Sequence, residues 1–235
     1  MRTELVSNPK RLGIIPARGG SKRIPRKNIK NFAGEPSLTR IVKALFGTEL
    51  FDRVLISTED DEIAALGKEL GAEVVKRSRN LADDFVTTTT VMKDLLGNLH
   101  LKAPDPWVYM FYATSPTTSK VVGEFVKFTE SEPNGFAITV AKSSHPVQRA
   151  MEFDDTGRLT FREPTFAKHR TQDLEPAFFD AGKFYGAKKS DWLNVEIPLL
   201  SSPRGFVVPE WMSIDMDTIE DWEIAEYKFR REFEL

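Results

Sequence analysis

The chain contains no cysteine, only three histidines, and no apolar run approaching the length needed to span a membrane. Without cysteine, disulfides, zinc thiolate sites and thiol nucleophiles are excluded. His100, His145 and His169 do not form a spaced ligand set, and no Ser–His–Asp arrangement can be read from the order of residues. The opening "MRTELVSNPK" lacks the apolar core of a signal peptide, so the expectation is a cytoplasmic protein with no membrane partner. A net charge is nearly absent too: 33 Lys+Arg against 35 Asp+Glu leave −2, which gives no overall pull toward nucleic acid. Against that balance one stretch stands out. "RGGSKRIPRKN", Arg18 to Asn28, holds five basic residues, two adjacent glycines and no acid.

At 235 residues the chain suits one α/β domain with a real core. Strand and helix periods alternate along it. Leu12–Ala17 is a short bounded apolar run, and "RVLIST" (53–58), "AEVVKR", "WVYMFYAT" (107–114) and "GFAITVA" (135–141) follow as further strands. Between them lie helical stripes: Leu38 to Phe46, residues 60–70 with Gly71 as stop, Val91 to Leu99, and Val121 to Phe128. Strands alternating with helices predict parallel βαβ units. Asp60, Asp61 and Glu62 read as first-turn acids of their helix, and Trp107, Tyr109 and Phe111 alternate as core.

After Ala141 the rhythm breaks. "MEFDDTGRLTF" (151–161) predicts a hairpin around an Asp/Gly turn, so 142–180 forms an excursion from the main sheet. "FFDAGKFYGA" and "EIPLL" read as late strands. The last helix begins near Asp217, with Glu220 three residues on in capping-box spacing. No interdomain linker interrupts residues 1–235.

The basic run leaves the carboxyl end of the first strand, where ligands of open α/β sheets bind. Gly19 and Gly20 allow close backbone approach and an anion nest; Arg18, Lys22 and Lys27 can neutralise a triphosphate, and Ser21 and Asn28 add hydrogen bonds. The Walker A pattern GxxxxGK[ST] is not matched at Lys22, and GxGxxG is absent. Charge alone leaves open a solvated loop or an RNA-facing patch. Asp215 and Asp217, two apart in "SIDMD", can face one cation, with helix capping as the alternative; two carboxylates plus phosphates suit Mg2+.

"IIPARGGSKRIPRKNIKNFAGEP" resembles the first motif of the CMP-sugar-acid synthetases (acylneuraminate cytidylyltransferases), I-x-A-R-x-G-S-K-x-x-x-x-K-N, at every fixed position. "ISTEDDEIA", "RSRNLADD", "ATSPTT" and "IDMDTIEDWEIAE" continue the likeness in order. Within that family "FFDAGKFYG" is most similar to the D-A-G-x-F-Y segment of the pseudaminic acid branch. Tyr112, and Gln148 after His-Pro, depart from the sialic acid pattern.

The resemblance implies a three-layer Rossmann-like nucleotidyltransferase fold and the reaction of CTP with a nonulosonic acid, most closely pseudaminic acid. Sialic acid, legionaminic acid or Kdo are the alternative substrates; an inert nucleotide- or RNA-binding protein is the alternative class. It further implies CTP contacts from Ala17, Arg18, Gly19, Gly20, Ser21, Lys22 and Lys27, with cytosine selected by Asn28 and Arg79, which lies near Asn80 and Asp83–Asp84. Arg18, Lys22 and Lys27 would carry the catalytic charge, and Asp215 and Asp217 would hold Mg2+. Tyr112, Arg170, Lys183 and Tyr185 are the implied sugar contacts, with Arg170 or Lys183 on the carboxylate. A homodimer through the excursion is expected, because Met151, Phe153, Leu159 and Phe161 need cover and relatives dimerise there.

Overall fold

The computed structural model describes residues 9–83, 85–101 and 105–234. Most of the opening stretch read for a signal peptide lies outside these residues, as does Asp84.

A seven-stranded sheet is built from β1 (Arg11–Pro16), β4 (Arg53–Thr58), β5 (Glu73–Lys76), β6 (Trp107–Phe111), β7 (Ala137–Lys142), β10 (Phe178–Lys188) and β11 (Arg204–Val207), in the order β11-β7-β10-β6-β1-β4-β5. Two small hairpins stand apart from it, β2 (Asn31–Phe32) with β3 (Glu35–Pro36), and β8 (Met151–Phe153) with β9 (Leu159–Phe161). Helices α1 (Ser37–Phe46), α2 (Asp61–Glu69), α4 (Ser119–Glu130) and α6 (Ile219–Phe233) pack one sheet face, with Leu45, Ile63, Phe125 and Trp222 in one core. Helices α3 (Thr88–Asn98) and α5 (Lys189–Asn194) cover the other with Met92, Leu96 and Trp192. The interior strands alternate between these cores: Val108 and Met110 point one way, Tyr109 and Phe111 the other. The three-layer α/β arrangement is the expected one.

Two local expectations are corrected, and one strand direction is new. The expected parallel pairing holds for β1, β4, β5 and β6, whereas β10, whose direction was not predicted, runs antiparallel to both β6 and β7. No crossover helix separates β7 from β10; the excursion leaves and returns at the same end, with Phe178 opposite Lys142, so the chain must re-enter in the reverse sense. "EIPLL" is no strand: Pro198–Ser201 is a 3-10 turn, and the strand that follows is β11, parallel to β7. Its Gly205 packs closely, since a Cβ there would meet Val140 Cγ2 at 3.0 Å and push that side chain aside. The last capping box is one residue later than read: Thr218 accepts from Asp221 N, and Asp221 accepts from Thr218 N.

The reversal of β10 matters for the site. It brings the start of β10 to the edge where β1, β6 and β7 end. There the register slips between Asp180 and Tyr185, where Asp180 Oδ1 accepts the Gly182 amide at 2.9 Å and Gly182 takes φ +60°.

Candidate active site

The basic loop after β1 is held by acids rather than left in solvent. Gly19 N donates to Glu59 Oε1 at 2.8 Å, and Arg77, itself buried, donates twice to Glu59 Oε2. Asn28 Nδ2 donates to the Arg18 carbonyl at 2.8 Å, closing the loop on itself. Ser37 Oγ donates to the carbonyls of Lys27 and Asn28. Arg26, left-handed at φ +56°, forks onto Asp60 at 2.6 and 3.0 Å and reaches Glu62. Asp60 meanwhile caps α2 through Ile63 N; the Arg26 guanidinium is the main reason its carboxyl sits at about 2. The charge run therefore divides: Arg26 clamps the loop, while Arg18 and Lys27 line the cleft.

The two glycines also divide. A Cβ on Gly19 would lie 2.3 Å from Asp60 Oδ2, whereas a Cβ on Gly20 would meet nothing within 4 Å. Neither has a positive φ, so the expected nest does not rest on left-handed glycines. Gly19 makes room for Asp60; Gly20 faces open space.

One cleft gathers Arg18, Ser21, Lys27 and Asn28 from the loop, Arg77, Leu81 and Asp83 from beyond β5, and Thr88, Tyr112 and Thr114. Tyr112 Oη is 2.9 Å from Thr88 Oγ1, and burial pushes its phenol up. Arg79 is exposed and borders an adjoining groove with Asn80 and Phe85 rather than this cleft.

A second cluster adjoins the first through Lys27, whose Nζ is 3.8 Å from Asp217 Oδ1. Burial lowers the Lys27 pKa, and Asp215 and Asp217 partly oppose that. Met216 points inward at 1 % exposure, which turns Asp215 and Asp217 outward together. Since Thr218 and Asp221 do the capping, the Asp217 carboxylate is spared that task. It pairs instead with Arg23 at 2.6 Å, a contact the sequence reading did not assign. Among the described residues no three His, Cys, Asp or Glu side chains gather as a metal site. An oxygen-only pair of this kind fits Mg2+ when phosphate oxygens and water complete the shell.

Asp180 was likewise missed. Its carboxylate accepts the Tyr185 hydroxyl, and burial with this bond pushes the phenol far up. Tyr185 and Tyr112 meet edge to face, ring centres 6.3 Å apart. Lys183 is buried, with Nζ 2.7 Å from the Ile214 carbonyl. Arg170 lies exposed in the excursion and pairs with Asp173 at 2.8 Å.

Comparison with known proteins bears on this arrangement. Residues 12–154 match the model of a family described as cytidylyltransferase. The chain is 33% identical over 225 residues to the pseudaminic acid cytidylyltransferase of Campylobacter jejuni, covering 94% of this chain and 97% of that protein. It is 27% identical to N-acylneuraminate cytidylyltransferase B of Danio rerio, covering 94% of this chain and 52% of that one. Among solved structures, a CMP:2-keto-3-deoxy-manno-octonic acid synthetase complexed with CTP shares the fold at TM-score 0.66 and 15% identity, covering 95% of this chain and 99% of that one. The chain belongs to the cytidylyltransferase family.

Proposed function

We propose that this enzyme transfers the CMP group of CTP to a nonulosonic acid, pseudaminic acid foremost, and releases pyrophosphate. The observation that carries the reading is Lys27: it lines the nucleotide cleft and stands 3.8 Å from Asp217, joining the triphosphate cradle to the acid pair. The sugar's anomeric hydroxyl attacks the α-phosphorus; its O–P bond forms as the bond to the bridging oxygen breaks, pyrophosphate leaves with that electron pair, and the hydroxyl proton passes to solvent water. Arg18, Lys22 and Lys27 neutralise the triphosphate, while Ala17, Gly19, Gly20 and Ser21 let the backbone approach it. Asn28 in the cleft selects the cytosine edge, and Arg79 approaches it from the adjoining groove. Tyr112 and Tyr185 face the sugar acid, and Arg170 meets it by leaving Asp173 on the exposed excursion. Mg2+ held by Asp215 and Asp217 would supply further positive charge at the phosphate oxygens.

Two more features belong to this proposal. The exposed Met151, Phe153 and Leu159 of the β8–β9 hairpin support a homodimer formed through the excursion. No described helix is long and apolar enough to cross a membrane, in keeping with cytoplasmic work on soluble substrates.

The test is pyrophosphate release from CTP and Mg2+ with a panel of sugar acids. Pseudaminic acid should give the highest kcat/KM. Preference for sialic acid, legionaminic acid or Kdo would reassign the sugar. CTP binding without release in any case, or RNA retained in preference to CTP, would replace the enzyme reading by a binding one.

A further inference from the structure

One lysine of β10 is buried beneath the acid pair. Lys183 is 1 % exposed, and its ammonium donates to the Ile214 carbonyl at 2.7 Å. Burying an ammonium is costly, and here burial draws Lys183 down to about 8 while Asp215, Asp180 and Asp217 oppose it. The segment it touches is packed by Ile214 and Met216 and carries ion pairs from Asp217 to Arg23 and Lys27, but few hydrogen bonds hold its backbone. Residues 213–217 belong to no helix or strand, and their backbone–backbone bonds among the described residues are local, Ser213 N to the Glu210 carbonyl and Asp217 N to the Asp215 carbonyl. Among the described residues, the Ile214 carbonyl is therefore where the backbone of this segment is hydrogen-bonded across to the sheet.

The slipped register explains how the lysine gets there. Asp180 folds back onto the Gly182 amide, and Gly182 in its left-handed turn approaches Asp215, whose Oδ2 is 3.8 Å from a Cβ built on that glycine. Lys183 follows directly and faces the carbonyl just before Asp215.

We propose that Lys183 is a positioning residue: its buried ammonium pegs the Ile214 carbonyl and so sets the direction in which Asp215 and Asp217 present their carboxylates. The consequence for catalysis rests on the metal-assisted reading above; the structural consequence does not. A lysine that instead held the sugar's carboxylate would move a different quantity, so the two roles separate by experiment.

Lys183→Met removes donor and charge at similar length, and Lys183→Gln keeps a shorter donor. Hydrogen exchange at the amides of residues 213–218, measured on ligand-free protein, is the first readout. Lys183→Met should exchange about tenfold faster there, with the rest of the sheet unchanged, and Lys183→Gln should fall between it and the wild type. The second is the Mg2+ concentration for half-maximal rate, expected to rise roughly 10- to 100-fold in Lys183→Met while the sugar KM holds, as for other groups that orient metal ligands. Unchanged exchange with a raised sugar KM alone would make Lys183 a substrate ligand and overturn the proposal. Unchanged exchange with an unchanged metal requirement would overturn it also. If Lys183→Met fails to fold by circular dichroism, Lys183→Gln carries both readouts. If the wild type turns over no sugar acid, the exchange result still decides the positioning role, while the functional reading fails on its own account.

Discussion

Two irregular segments leave the same edge of the sheet, the basic loop at 18–28 and the excursion at 143–177, and they are secured in opposite ways. The loop is tied to the body of the fold: Glu59 and Asp60 at the end of β4 hold Gly19 and Arg26, and Ser37 at the start of α1 holds two of its carbonyls. The excursion is tied mainly to itself. β8 pairs only with β9, Gln148 bonds the Glu175 carbonyl, and Arg149 bonds Thr171. Phe153 stands 73 % exposed. The difference suits the tasks proposed for them. A triphosphate is bound best by groups fixed in advance, because ordering them then costs nothing at binding. A surface that meets a second copy of the chain keeps its apolar side chains outward until that copy arrives.

The sharpest way to break this comparison is to cut the link between loop and acid pair. Asp217→Asn should lower kcat by about 100-fold or more, through loss of a metal carboxylate and of the charge that Arg23 and Lys27 face. The fold should survive, because Thr218 and Asp221 supply the cap. Turnover at several Mg2+ concentrations, with a thermal melt alongside, checks both halves. Near-normal rates at low Mg2+ would make the acid pair structural.

Next in size is a test of the loop's fixed shape. Gly19→Ala places a Cβ against an Asp60 carboxylate that Arg26 and the α2 cap hold still, so the loop itself must move. Overpacking of this kind costs about 1–3 kcal/mol, and the KM for CTP should rise at least several-fold. Gly20→Ala meets open space and should leave the melting temperature unchanged. If it nonetheless raises the KM for CTP, the backbone at Gly20 is where the nucleotide comes close. Equal, unaltered kinetics in both variants would remove the loop from the nucleotide site.

A smaller effect is expected in the excursion. Replacing residues 152–160 by a short Gly/Ser bridge should barely alter the melt of the main sheet, since β8 and β9 pair only with each other. Sedimentation should show loss of the dimer, with turnover reduced a few-fold beyond any stability change. A fully active monomer at assay concentration would show that the excursion neither joins subunits nor completes the site.

What the sequence made legible follows the same division. Strands buried on both faces announce themselves as bounded apolar runs, and "RVLIST" matches β4 residue for residue. The direction of β10 was hidden, because it depends on how the excursion returns rather than on any property of "FFDAGKFYGA". "EIPLL" misled because its apolar residues cluster around Pro198 in a turn, leaving Leu200 79 % exposed. In the candidate site, Arg18, Ser21, Lys27 and Asn28 of the first motif line one cleft, and Tyr112, read as a sugar contact, lines the same cleft. Arg77 and Asp180 stand inside stretches that the likeness singled out, yet nothing local announced what they would do. One acts by fixing Glu59 from the neighbouring strand and the other by bending its own strand around Gly182, relations that exist only once the sheet has formed.

The mildest contrast concerns acid. Asp60 in the loop's support and Asp154 in the hairpin turn both have carboxyls held below the usual range, for different reasons. At Asp60 the Arg26 guanidinium leads, and the folded value is about 2 against 3.8. At Asp154 the leading cause is the Thr156 hydroxyl, and the group is fully exposed. A carboxyl lowered by folding stabilises the folded state above its unfolded pKa, and that contribution is lost as pH falls through the folded one. The contribution of Asp60 should therefore be complete above about pH 4 and should fade toward pH 2. Asp60→Asn, which keeps a capping side chain for α2, should melt lower than wild type at neutral pH and show a flatter decline between pH 4 and pH 2. Asp154→Asn should leave the acid limb of the main transition unchanged, because the hairpin lies outside the sheet. Melting curves at half-unit steps, followed by circular dichroism, separate the two. Parallel declines in wild type and Asp60→Asn would mean that Arg26 does not clamp the loop through this carboxylate, and the contrast between a secured loop and a free excursion would lose one of its main supports.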